Sequence, residues 1–288
     1  MLARHKVDVP ASIPASTQGE GDVQRQPLCP SPECQLSVDV VLLSSCGALI
    51  GAHRKNLDDF GDGFPSDDSI TDSTDPVKLT EDEKTLKLLL LFMHKQIYPK
   101  VSSLSGDQLF GLAEAAEKYM VFSAISACNV FIETNPKAFP VQSMFYGAKF
   151  EYPDIADAAA PFTIGKTLAN IRAYANNNDT VVYAWLQYRE AYIQVAERAL
   201  TPTSTLHVAG REVPHVCKAW KKYLAATIPK LPRTTMNALS LFAKGEFDLS
   251  VYEEHSDLEC PPCRMLAKSW RSDVRDMLEE VPSFHTFL

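Results

Sequence analysis

The chain has 288 residues, 45% of them hydrophobic, which is enough to bury sizeable cores in one large domain or two ordinary ones. With 28 basic and 36 acidic residues it carries a net charge of −8, which argues against a nucleic-acid or anionic-membrane partner, since both need a basic footprint. The longest apolar run, Leu88 to Met93, falls far short of the ~20 residues of a bilayer span, and no apolar leader follows Met1, so an intracellular protein of cytoplasm or nucleus is expected. In that reducing setting the seven cysteines are expected to be thiols or metal ligands, not disulfides.

In chain order, residues 1–36 are rich in Pro, Ser, Gln and Gly, have no periodicity, and read as a flexible tail. Cys29 and Cys34 lie there in "CPSPEC", with no second cysteine pair nearby to complete a metal site. "SVDVVLLSSCGALIGAHR" predicts two strands around a turn at Cys46-Gly47, and "HRKNLDDFGDGF" a short helix broken at Gly61 and Gly63. The acidic "SDDSITDSTD" reads as a solvated loop. "PVKLTEDE" predicts a brief strand, then a helix over about 81–97 with Thr80 as N-cap and Glu83 as its capping-box partner. The unbroken Leu88–Met93 run requires that helix to be buried on several sides or at a subunit interface. Helices are predicted at 105–119 and 122–133, with Cys128 as a small core residue.

The pattern "VDVVLLSS…GAHRKNL…VKLTEDE…LKLLLLFMHKQIYP…LFGLAEAAEKYMVFSAISACNVFI" resembles a BTB/POZ domain over residues 37–135, with Asp39, His53, Lys55, Leu57 and Phe64 at matching signature positions. The whole chain is similar to BTB proteins of mushroom-forming fungi, down to its "VPSFHTFL" ending. The resemblance implies a non-catalytic protein–protein interaction function, by self-association or by docking a protein partner through the Leu-rich helix and the sheet. It also raises an alternative, a substrate adaptor of a cullin-type ubiquitin ligase. Such adaptors often carry a hydrophobic-x-Glu motif after the Leu-rich helix, and "HKQIYPKVSSLSGD" contains none.

From 136 to 288 every predicted element is helical: a helix pair broken at Tyr152-Pro153, and a stripe of Val181, Trp185, Tyr188, Tyr192 and Val195 ending at Thr201-Pro202. Three more helices follow at about 214–228, 233–244 and 262–281. The expected fold class is α+β, a BTB/POZ domain followed by an all-α domain.

No GxSxG elbow, phosphate loop, GxGxxG fingerprint or HExxH helix occurs, so an enzyme is not expected. Cys260-Pro-Pro-Cys263 has the spacing of a redox pair and precedes a helix, which makes a thiol oxidoreductase a second alternative, but it follows an acidic segment and lacks a βαβ setting. His215 and Cys217 with Cys260 and Cys263 make a Cys₃His set suited to structural zinc. Against zinc, Pro261 and Pro262 have no N–H with which to steady a bound sulfur. The competing reading is thiols packed in a core.

Overall fold

The computed structural model describes residues 27–64, 75–176, 178–202, 217–253 and 258–288. The expected loop at 66–75 lies almost wholly outside these residues, as does the expected tail up to residue 26.

Val40–Leu43 (β1) pairs antiparallel with Leu49–Ala52 (β2), with Val40 opposite Ala52 and Leu43 opposite Leu49. The turn between them passes through Gly47, whose φ of 85° suits a residue without a Cβ. Val77–Lys78 (β3) lies parallel to β1 on its other side, giving the order β2-β1-β3. Between the strands, Arg54–Phe60 (α1) starts directly after β2, and its first amide donates to Asp39 Oδ1 at 2.8 Å.

Residues 27–36, read from the sequence as tail, do not hang free. The Gly51 amide donates to Leu28 O at 3.1 Å, and a Cβ on Gly51 would stand 2.6 Å from Pro27 O. Gly51 therefore lets this segment lie against β2.

The Leu-rich helix, Glu83–Leu91 (α2), differs from expectation at both ends. Its N-cap is Asp82, whose carboxylate accepts from the Thr85 amide at 2.8 Å, while Thr80 donates to Glu81 instead of capping. Its C-terminus comes at Leu91, not near Ile97. The last-turn carbonyls have no helical partner, and two side chains just beyond take them: His94 Nδ1 on Leu90 O (2.7 Å) and Gln96 Nε2 on Leu91 O (2.9 Å). Leu86, Leu89, Leu90, Phe92 and Met93 are buried, so this helix spends its apolar surface inside the fold. Gly106–Tyr119 (α3) begins with a complete Ser105/Gln108 capping box, and Phe122–Thr134 (α4) buries Ala124, Cys128 and Ile132.

The described residues beyond 135 are helical or irregular. Pro140–Lys149 (α5) and Pro153–Ala159 (α6) form the expected pair, breaking before Pro153. Leu168–Arg172 (α7) is short, and Asp179–Leu200 (α8) buries Val181, Trp185, Tyr188 and Val195. Lys218–Thr227 (α9), Thr235–Ala243 (α10) and Pro261–Glu279 (α11) complete the set. Trp270 of α11 is buried, and its indole donates to Arg198 O at 2.9 Å. The chain's last turn packs Phe284 against Tyr188, and His285 bonds Asp157 of α6 through its amide (2.8 Å) and its ring (2.6 Å).

Two hydrophobic cores result. One collects β1, β2 and α1 to α4; the other collects α8 to α11. Helices α5 and α6 serve both: Tyr146 and Ile155 face the first core, while Val141, Met144 and Ala159 face the second. Among the described residues the architecture is α+β, a small three-stranded sheet with helices followed by helices alone.

Candidate metal centres

The five positions on which the resemblance rests have different surroundings. Asp39 takes the α1 amide as above; Leu57 is buried; Phe64 stacks on Tyr119 with ring centroids 4.3 Å apart; Lys55 is exposed.

The predicted zinc set is brought together in three of its four members. Cys217 stands just before α9, Cys260 just before α11, and Cys263 in the first turn of α11. Their sulfurs lie within 4.8 Å of one another, and His215 falls outside the described residues. The two helices thus point their positive N-terminal ends at one cluster of thiols. Cys217 receives the backbone amides of Trp220 and Ala219, and these, with the thiols of Cys263 and Cys260, hold it below the usual thiol range. Cys263 is fully buried, and that burial first, then its sulfur neighbours, pushes its thiol up to about 12. The missing N–H groups of Pro261 and Pro262 do not leave the cluster without donors, because α9 supplies them.

A second cluster was not anticipated. Cys29, Cys34, His53 and His94 place one ligand atom each within 4.8 Å of the other three. Cys29 Sγ is 3.3 Å from His94 Nε2, and Cys34 Sγ is 3.1 Å from His53 Nε2. The two imidazoles meet edge to face with centroids 5.5 Å apart, at 2% and 6% exposure for His53 and His94. His53 arrives at the junction of β2 and α1, and His94 arrives because α2 stops at Leu91. A turn closed by the Cys34 amide on Ser31 O (3.2 Å) presents the two cysteines. Burial, chiefly, raises the Cys29 thiol, opposed by the Ser31 amide and reinforced by Cys34. The sequence did contain a signal, a C-x₄-C pair followed by histidines. What it lacked was any indication that residues 65 positions apart share a corner of the fold.

Both clusters can hold a metal ion. Comparison with protein-family models, with curated proteins and with solved structures finds no match to this chain.

Proposed function

We propose that the chain is a non-catalytic interaction protein with a BTB-type N-terminal unit, and that it works by associating with a second copy of itself. The order of elements from β1 to α4 and the β2-β1-β3 sheet support the BTB reading. The observation that carries self-association is an apolar surface away from the buried Leu-rich helix. Ile97 is 98% exposed, and Phe122 and Val130 on the outer face of α4 are 62% and 63% exposed. The segments bearing Phe122 and Ile97 meet, since Ser123 beside Phe122 donates to Phe92 O at 3.0 Å and Phe92 stacks on Tyr98 beside Ile97, and Val130 continues the exposed face of α4 about two turns further on. Large side chains grouped in this way mark interaction surfaces. In the same reading, zinc held by Cys217, Cys260 and Cys263 braces the starts of α9 and α11.

Light scattering on the full chain is expected to give a multiple of the 31.9 kDa monomer. Ile97→Asp combined with Phe122→Asp is expected to return it to monomer without changing its circular dichroism. A wild-type monomer at high micromolar concentration would sink the reading.

A further inference from the structure

We propose that Cys29, Cys34, His53 and His94 form a tetrahedral zinc site that clasps residues 27–37 to the sheet and to the end of α2. The geometry suits that ion. Zinc at about 2.0–2.1 Å from nitrogen and 2.3 Å from sulfur sets ligand atoms roughly 3.3–3.8 Å apart. The two S···N separations of 3.1 and 3.3 Å need adjustments of a few tenths of an ångström, and the 4.8 Å ceiling on the rest limits theirs to about 1.5 Å.

The imidazoles are already set to ligate. His53 Nδ1 lies 2.8 Å from Ser37 O, and His94 Nδ1 lies 2.7 Å from Leu90 O. A carbonyl only accepts, so each Nδ1 carries the proton and each Nε2 turns its lone pair toward the thiols. Orientation of a ligating histidine through its other nitrogen is the usual arrangement at zinc. Cys29 Sγ also receives the Ser31 amide, the kind of donor that steadies a bound thiolate. Further out, Ser31 Oγ donates to Gln96 Oε1 at 2.7 Å, and Gln96 Nε2 holds the end of α2.

The charge count closes. Zn²⁺ displaces one proton from each thiol, releasing two, and the resulting Zn(S⁻)₂(N)₂ unit is neutral, as a half-buried position demands. A two-iron cluster with His₂ on one iron and Cys₂ on the other does not fit, because here each sulfur touches an imidazole instead of facing it across a cluster. A cleft of about 300 Å³ lined by Cys34, His94 and Gln96 gives the ion a route in. All four positions are taken by protein, as in a structural and not a catalytic site.

The test uses the full chain in the Cys217→Ala background, so that metal in the other cluster does not contribute. Elemental analysis is expected to find one zinc per chain. Cobalt is expected to replace it with the visible absorption of a tetrahedral two-thiolate complex, and Cys34→Ser added to this background is expected to abolish both. Chelation is expected to speed amide exchange of residues 28–37 at least tenfold. A folded Cys217→Ala chain that holds neither zinc nor cobalt, or whose 28–37 amides ignore the chelator, would overturn the proposal. Should Cys34→Ser fail to fold, the cobalt spectrum and exchange of the Cys217→Ala chain still decide.

Discussion

At the scale of single residues, Glu81 shows how one residue ties the end of α3 to the turn between β1 and β2. Its side chain accepts from Lys118 Nζ at 2.8 Å and from the Tyr119 hydroxyl at 2.6 Å, and its carbonyl accepts from the Ser45 amide at 2.9 Å. Partial burial works to raise its pKa, but the Lys118 and Tyr119 hydrogen bonds outweigh it and leave the carboxyl below its ordinary value of 4.5. A depressed folded pKa stabilises the fold above the ordinary value, and that contribution is lost as pH falls through the depressed one. Glu81→Gln is therefore expected to cost about 1–2 kcal/mol at neutral pH, discounted because Lys118 is half exposed. The gap between wild type and variant is expected to narrow as pH falls below 4.5 and to close once it passes the depressed value, as read in urea titrations; a gap that persists in strong acid would show that shape, not charge, carries the effect. Residue roles were partly legible in the sequence. Ser105, expected as the first residue of its helix, instead caps it together with Gln108, and Thr80 and Glu83 match a capping pattern but lose to Asp82, which sits two residues closer to the first turn.

At the scale of elements, the close approach of α5 and α6 depends on one glycine. A Cβ on Gly147 would lie 2.7 Å from the Ala156 amide nitrogen and 2.8 Å from Tyr152 O, both backbone atoms that cannot swing aside. Gly147→Ala is expected to lose about 1–3 kcal/mol, read from the denaturant midpoint, despite its better helix propensity. An unchanged or raised midpoint would mean that the helices separate freely. Long periodic stripes made helices such as α8 and α11 readable in advance, with ends within a few residues. The end of α2 was not readable, because the apolar run continues through Phe92 and Met93 after helical geometry has ceased. Those two side chains stay buried while His94 and Gln96 turn back onto the helix. The second metal cluster was hidden for the same reason, since His94 reaches the cysteines only from a helix that ends early.

At the scale of the molecule, two cores share α5 and α6. Tyr146 illustrates the coupling: it is buried in the first core, with its hydroxyl 2.8 Å from Asn129 Oδ1 and 3.0 Å from Glu117 Oε1, while its neighbours Met144 and Phe145 belong to the second. The full chain is expected to melt as one cooperative transition, with calorimetric and van't Hoff enthalpies in agreement. Two resolved peaks would show that the shared helices do not transmit stability between the cores. The sheet has a consequence of its own. Its outer strands are poor templates for growth: β3 has two residues, and the free side of β2 already spends the Gly51 amide on Leu28. A peptide seeking to add itself as another strand would find little ladder to extend, and misfolded copies little edge on which to stack. The short and occupied margins of the sheet thus leave little unpaired backbone on offer.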